Sequence, residues 1–176
     1  MNKINDLEVI VSEKDNQRIE IQLAEYLTEY KQSLAFAESC TGGYLSHLIT
    51  LLPGSSDYFK GGIVAYSNQI KKNILQVSEE VLLKEGAVSE ATVEQMAKQT
   101  LLLFQSDYAV AVSGIAGPGG GTPEKPIGTV WVSIAQKEKI TSQLFQFGNI
   151  DRNLIIRKTA IYTLYILNQI IEKQYH

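Results

Sequence analysis

Residues 108–115, with the sequence YAVAVSGI, form a nearly continuous apolar run that leads into a glycine-rich stretch. Such a run is typical of a strand buried on both faces, because a strand with one solvated face would alternate apolar and polar residues. A sheet that is buried on both faces needs helices on both sides. The run therefore predicts an α/β protein with this strand near the middle of its sheet.

Helix-like and strand-like patterns alternate along the rest of the chain. Amphipathic or capped helices are predicted over residues 16–32, 42–52, 68–75, 90–104 and 149–172, with Ser89 as the cap of the fourth. Further strands are predicted over residues 33–38, 61–67, 127–135 and 140–147. The last two, joined by the polar QKEK, indicate an antiparallel hairpin. The prediction is an α/β sandwich whose sheet is mixed and mostly parallel.

Length and composition limit the classes of function. A chain of 176 residues fits a single domain over residues 1–176, although residues 1–14 match no predicted element. The net charge of −3 offers no basic face for nucleic acid. The single cysteine excludes an internal disulfide, and no apolar run is long enough for a signal peptide or a membrane span. We expect a cytoplasmic protein without nucleic-acid or membrane partners.

Residues 113–128, SGIAGPGGGTPEKPIG, concentrate the residues that permit unusual backbone shapes. This segment contains six of the 13 glycines, namely Gly114, Gly117, Gly119, Gly120, Gly121 and Gly128, and three of the four prolines. Such a loop can turn its N–H groups toward an anion. It follows the carboxyl end of a strand, which is where α/β proteins bind ligands. A turn without a ligand is the alternative. The P-loop pattern is absent, and Thr122 breaks a dinucleotide-binding pattern.

The stretch AESCTGG, residues 37–43, is a candidate nucleophile site at a predicted strand end. A hydroxyl of Ser39 there would lie in a cleft beside the N–H groups of a helix start, which suits acyl transfer. The alternative is that Ser39 or Thr41 only caps the helix. Cys40 is a second candidate, but it should point to the opposite face from Ser39 in an extended segment. The nucleophile elbow of α/β-hydrolases is absent.

The general base is predicted to be a lysine. The chain has two histidines; His176 is the last residue, and His47 lies two helical turns beyond the serine. Lys71 falls on the apolar arc of its predicted helix, where burial would lower its pKa and leave a neutral amine. Alternatively, the Lys71 side chain extends to solvent and has no catalytic role. Lys60 is the other candidate for the general base. No cluster has the spacing of metal ligands, so neither a metal nor another cofactor is expected.

Two further residues are candidates beside this dyad. Tyr66 could hydrogen-bond the same site, although a core tyrosine is the default interpretation. Arg152 is predicted in the first turn of the last helix, where a cation opposes the helix dipole. A bound anion would reverse that penalty, whereas a solvated arginine is the simpler explanation.

Four motifs in this order resemble the CinA carboxy-terminal domain family: AESCTGG, GGIVAYSNQIKKNIL, GAVSE and VSGIAGPGGGTPEKPIGTVW. The similarity covers about residues 33–172. It implies a three-layer α/β/α sandwich and a nicotinamide mononucleotide deamidase that works in pyridine nucleotide recycling. Many relatives carry an additional amino-terminal domain, and this chain is expected to be a stand-alone form that assembles into a homo-oligomer.

The resemblance also implies roles for individual residues. Ser39 would be the nucleophile, Lys71 its base and Tyr66 the neighbour of that base, with Ser113, where many members have threonine, and Arg152 in the substrate site. Backbone N–H groups near Gly42 and Gly43 or in the loop over residues 114–121 are expected to hold the oxyanion. The predicted substrate-binding set is Thr41, Gly42, Gly43, Ser113, Gly114, Gly117, Gly119, Gly120 and Arg152.

Two other functions remain open at this level. One is a non-catalytic nucleotide-binding or regulatory module, and the other is a competence-associated partner protein, as the family name suggests. Only the enzyme would release ammonia from a small-molecule nucleotide.

Overall fold

The computed structural model describes residues 19–137 and 139–175. The strands are β1 Leu34–Glu38, β2 Phe59–Val64, β3 Tyr108–Gly114, β4 Thr129–Gln136 and β5 Lys139–Gln146. The α-helices are α1 Ile19–Glu29, α2 Tyr44–Thr50, α3 Asn68–Asn73, α4 Glu79–Lys84, α5 Glu90–Phe104 and α6 Arg152–Tyr175, with one 3₁₀ turn at Ser55–Asp57. None of the described helices is both long and apolar enough to cross a membrane.

The five strands form one mixed sheet in the order β2-β1-β3-β4-β5. β1 pairs in parallel with both β2 and β3, whereas β4 runs antiparallel to both β3 and β5. Four of the five strands therefore point the same way and only β4 is reversed. This confirms the mixed sheet with a late hairpin, and β3 lies at its centre as its apolar sequence predicts.

Helices cover both faces, which gives the three layers that the family resemblance implies. On one face, α1, α2 and α6 pack on Leu34, Phe36, Val110 and Val112 in a large apolar cluster. On the other face, α4, α5 and the residues that follow α3 pack on Ala37 and Ala111 in a smaller cluster. Because side chains alternate along a strand, the even-numbered positions of β1 and β3 face the first cluster and the odd-numbered ones the second.

Several element bounds differ from the sequence predictions. Helix α4 was not predicted, and α6 begins at Arg152 rather than near Asn149. Strand β2 begins at Phe59 and ends at Val64, so Tyr66 lies in the connection to α3. The Ser89 cap of α5 is confirmed, because its side chain accepts a hydrogen bond from the N–H of Thr92. The predictions for residues 1–18 and for His176 lie outside the described residues.

Candidate active site

Ser39 directly follows β1 at the carboxyl edge of the sheet. Its N–H donates to the carbonyl of Val112 at 3.0 Å, which extends the pairing with β3 by one residue. By strand alternation its side chain faces the layer that contains α3, and the residue is only 8% exposed. Cys40 lies instead in the large cluster on the opposite face, as predicted. Burial raises the pKa of its thiol to about 12, so a Cys40 thiolate is strongly disfavoured.

The side chain of Lys71 reaches Ser39 from α3. Its Nζ donates to Ser39 Oγ at 2.9 Å and to the carbonyl of Ala65 at 2.7 Å. Lys71 is 1% exposed, and burial lowers the pKa of its ammonium below the ordinary value. Among the described residues no carboxylate pairs with it. The arrangement therefore places a lysine amine with a lowered pKa within hydrogen-bond distance of the Ser39 hydroxyl.

Local sequence explains why Lys71 is buried. Ser67 caps α3 by accepting a hydrogen bond from the N–H of Ile70, which fixes the helix start. Four residues beyond Lys71, Leu75 is fully buried on the same side, whereas Lys72 lies in an exposed ion pair with Glu79 at 2.8 Å. Lys71 is the buried residue of α3, whereas Ile70 and the following Ile74 are exposed, so the helix turns its lysine rather than its isoleucine toward the sheet.

The competing base candidates lie elsewhere. Lys60 is exposed on β2, which is an edge strand, and His47 is exposed on α2. Neither makes a described hydrogen bond to Ser39. Of the lysines in the described chain, Lys71 is the one that donates to the serine hydroxyl.

The turn that follows Ser39 is held by its own backbone and by a neighbouring carboxylate. Gly42 and Gly43 adopt left-handed backbone angles, with φ of 62° and 101°, that favour glycine. The Gly42 N–H donates to the carbonyl of Ser39 at 3.1 Å, and the Gly43 N–H donates to Glu38 Oε2 at 3.1 Å. Both amides are thus already engaged within the turn, and the prediction that N–H groups near them or in the loop over residues 114–121 hold the oxyanion stays a prediction. In the described chain the N–H groups of Cys40 and Thr41 have no such partner.

Glu38 is a residue that the sequence analysis missed. Its side chain is fully buried and accepts hydrogen bonds from the N–H groups of Gly43, Leu45 and Ser46 and from the Ser46 hydroxyl. The carboxylate therefore satisfies the first N–H groups of α2 and ties that helix to the strand that carries Ser39. A charged residue that ends an apolar strand just before a glycine-rich helix start was the available signal.

Arg152 connects the glycine-proline loop to the segment between β2 and α3. Asp151 caps α6 by accepting from the N–H groups of Asn153 and Leu154. The Arg152 guanidinium donates through Nη1 to the carbonyl of Gly117 at 2.6 Å and through Nη2 to the Tyr66 hydroxyl at 3.1 Å. Tyr66 is 62% exposed, so it is not a core tyrosine. The Tyr66 hydroxyl is hydrogen-bonded to Arg152. The described hydrogen bonds of the Lys71 amine are with Ser39 and Ala65 and not with Tyr66.

Ser113 follows Val112, which pairs with Glu38 and accepts the hydrogen bond from the Ser39 N–H. It is 1% exposed, and its hydroxyl donates to the carbonyl of Ala87 at 2.7 Å. Thr41 is also buried, but its hydroxyl has no hydrogen-bond partner among the described residues. The proton of the Ser113 hydroxyl is therefore already engaged, whereas that of the Thr41 hydroxyl is not.

The predicted glycines of the loop fall into two groups. A side chain at Gly114 or Gly117 would collide, because an added Cβ would lie 2.6 Å from Val130 and 2.9 Å from Ile127 respectively. These two glycines serve close packing of the loop base. Gly119 and Gly120 are exposed at the tip, with open space or ordinary contact where a Cβ would be. The tip is the part of the loop that a ligand can approach.

The described residues contain no group of three or more His, Cys, Asp or Glu side chains placed to hold a metal ion. The chemistry that they do place together is a hydroxyl, a buried amine, backbone N–H groups and a guanidinium. This set is suited to acyl transfer on a substrate that carries an anionic group.

Comparisons of the sequence with family models and with curated proteins lead to the same family. A family model described as the CinA C-terminal domain matches residues 16–171. A CinA-like protein of Thermotoga maritima is 47% identical over 150 residues, and one of Cytophaga hutchinsonii is 44% identical over 155 residues. These alignments cover 85% and 88% of this chain but 36% and 37% of the relatives. The chain thus spans about a third of the length of these curated relatives.

Solved structures match over nearly their whole length. A competence-damaged protein (CinA) superfamily protein from Klebsiella pneumoniae is 32% identical with a TM-score of 0.85, covering 88% of this chain and 96% of that one. The competence/damage inducible protein CihA from Agrobacterium tumefaciens is 37% identical with a TM-score of 0.80, covering 85% and 93%. The described fold is therefore shared with solved proteins of this superfamily.

Proposed function

The chain belongs to the CinA C-terminal domain family, and on that premise we propose that it is an amidohydrolase that converts nicotinamide mononucleotide to nicotinic acid mononucleotide and ammonia. The substrate is proposed from the family, whose characterised members are nicotinamide mononucleotide deamidases. The reaction would serve pyridine nucleotide recycling. The catalytic group would be the Ser39–Lys71 pair.

The observation that carries the proposal is the 2.9 Å contact between Lys71 Nζ and Ser39 Oγ, made by a lysine that is 1% exposed. Burying a lysine without a carboxylate partner costs stability, because its ammonium loses water and gains no opposite charge. A binding module or a partner protein would gain nothing from such a buried lysine. An enzyme would gain a general base, because a neutral amine can accept a proton from serine.

The proposed reaction proceeds through an acyl-enzyme. Neutral Lys71 takes the proton of the Ser39 hydroxyl while Oγ attacks the carboxamide carbon, and the carbonyl oxygen becomes an oxyanion. When this intermediate collapses, the lysine ammonium gives its proton to the departing nitrogen, and ammonia leaves. A water molecule then attacks the ester with Lys71 again as the base, and the proton returns to Ser39 as the acid product forms.

Two sets of N–H groups could stabilise the oxyanion. The amides of Cys40 and Thr41 follow the nucleophile directly and make no described hydrogen bond, so we assign the oxyanion to them. The tip of the loop at Gly119 and Gly120 offers the other set, and we assign it to the body of the nucleotide, together with the hydroxyls of Thr41 and Ser113.

Arg152 is assigned to the substrate phosphate. A guanidinium has five N–H donors, and two of them are engaged by Gly117 and Tyr66. The remaining donors can bind a phosphate oxygen pair, because a guanidinium recognises phosphate in a bidentate manner. Through its hydrogen bond with Arg152, the Tyr66 hydroxyl would then serve phosphate recognition.

The direct test is incubation of the purified protein with nicotinamide mononucleotide, following ammonia and nicotinic acid mononucleotide together. Equimolar appearance of both products is expected from the parent protein and from Ser56→Ala, which removes an exposed hydroxyl. Ser39→Ala should form neither. If the parent protein forms neither product, or if Ser39→Ala remains as active as the parent, the proposed function is wrong.

A further inference from the structure

The segment over residues 85–88 joins α4 to α5, and its GAV portion begins the GAVSE motif, to which the proposed reaction gives no role. All four of its backbone carbonyls accept hydrogen bonds from side chains. The carbonyl of Gly86 accepts from Ser89 and Thr92 of the following cap and helix. The carbonyl of Ala87 accepts from Ser113 at the end of β3. The segment thus fixes its own shape and contacts the strand beside the nucleophile.

The two outer carbonyls of this segment are bound by one distant side chain. Lys125 Nζ donates to the carbonyl of Glu85 at 2.5 Å and to the carbonyl of Val88 at 2.8 Å. Lys125 is half-buried, and within the described residues no carboxylate forms an ion pair with it. Glu85 is the C-cap residue of α4, and a lysine ammonium is well suited to the carbonyls at a helix end. Within the described residues, the Lys125 ammonium therefore interacts with backbone carbonyls and not with a carboxylate.

Lys125 also belongs to the glycine-proline loop. It closes a tight turn with Thr122, in which the Thr122 N–H donates to the Lys125 carbonyl at 2.9 Å and the Lys125 N–H donates to the Thr122 hydroxyl at 3.0 Å. On the other side of the tip, the carbonyl of Gly117 is held by Arg152. Between these attachments, the N–H groups of Gly119, Gly120 and Gly121 make no hydrogen bond within the described chain. The tip is thus a short span held from two sides.

We propose that Lys125 is a positioning residue that anchors the glycine-proline loop to residues 85–88 and so holds the loop tip in place for the nucleotide. The part that concerns the nucleotide rests on the proposed function. Glycine-rich backbone loses much conformational entropy when it is ordered on binding. A loop that is already fixed by Lys125 loses less, and the substrate then binds more tightly.

Hydrogen–deuterium exchange tests the anchor without any substrate. Lys125→Met removes the ammonium and keeps most of the apolar stem, and Lys84→Met removes a 76% exposed side chain from the neighbouring helix as the control. Faster exchange is expected in Lys125→Met, and not in Lys84→Met, at the N–H groups of Ile115 and Thr122, which are hydrogen-bonded to the carbonyls of Thr129 and Lys125. Unchanged exchange in Lys125→Met would overturn the anchor. If Lys125→Met loses cooperative unfolding, Lys125→Gln, which keeps two donors, should show the same change to a smaller degree.

Calorimetric titration with nicotinamide mononucleotide tests the consequence, with Ser39→Ala as the parent so that no turnover occurs. Adding Lys125→Met should raise the Kd about tenfold or more, whereas adding Lys84→Met should leave it unchanged. In the active protein, the same substitution should raise KM more than it lowers kcat. Faster exchange with an unchanged Kd would overturn the positioning role. A parent that does not bind the nucleotide would refute the proposed substrate, and the exchange experiment would then decide the anchor alone.

Discussion

Replacing Arg152 with alanine tests how the site recognises its substrate. The substitution removes the guanidinium that contacts Gly117 and Tyr66 and leaves Asp151 to cap α6. Under the proposed function, the lost donors include those that would bind the phosphate of nicotinamide mononucleotide. The phosphate is remote from the carboxamide, so the loss concerns binding and alignment.

The size of the effect follows from the hydrogen bonds. Hydrogen bonds to a charged group contribute about 1.5–3 kcal/mol, so kcat/KM for nicotinamide mononucleotide should fall roughly 10- to 150-fold. The hydrogen bond with the Gly117 carbonyl lies within the protein and is lost whichever substrate is used, so its loss affects both substrates equally. Nicotinamide riboside, which lacks the phosphate, should therefore lose clearly less turnover than the nucleotide.

The assay measures kcat/KM for both substrates in the parent, in Arg152→Ala, in Tyr66→Phe and in the double variant. Tyr66→Phe should weaken turnover of the nucleotide modestly, and it should add almost nothing in the Arg152→Ala background, because the two side chains act through one hydrogen bond. Equal losses on both substrates would mean that Arg152 serves the reacting end or the fold. An additive effect of Tyr66→Phe would place Tyr66 with Lys71 instead, as the family resemblance implies.

Three further predictions concern the dyad. Ser39→Ala and Lys71→Met should each lower kcat by several orders of magnitude and together cost little more, and Lys71→Arg should not rescue activity because its guanidinium stays protonated; additive losses in steady-state kinetics would contradict a coupled pair. Because burial lowers the pKa of Lys71, activity should rise with pH through that pKa as the amine becomes neutral. Between the pKa of Lys71 in the folded protein and its higher pKa in the unfolded chain, the unfolded chain binds more protons, so Lys71 makes the stability of the fold increase with pH in that range. Thermal melts of Lys71→Met at several pH values should lack that increase. Turnover should survive EDTA, because the proposed steps use only Ser39, Lys71 and backbone N–H groups; loss of activity that zinc or magnesium restores would refute them.

Local patterns in the sequence predicted those features that depend on neighbouring residues. The two-residue period of a strand placed Ser39 and Cys40 on opposite faces, and the helical period placed Lys71 on the buried side of α3. The apolar run over residues 108–115 predicted the central strand, and Ser89 predicted the start of α5. Each of these follows from periodicity or from a cap, which act within a few residues along the chain.

Contacts between distant segments were decided by the tertiary structure. Lys71 and Ser39 are 32 positions apart, and their 2.9 Å distance depends on how β1, β2 and α3 pack together. The hydrogen bonds of Tyr66 with Arg152 and of Lys125 with residues 85–88 likewise join separate elements. The sequence predicted the oxyanion site near Gly42 and Gly43 or in the loop over residues 114–121, and only the folded chain shows that the amides of these two glycines are engaged within their turn. Sequence patterns determine which face a side chain takes, and packing over long separations determines which atoms meet.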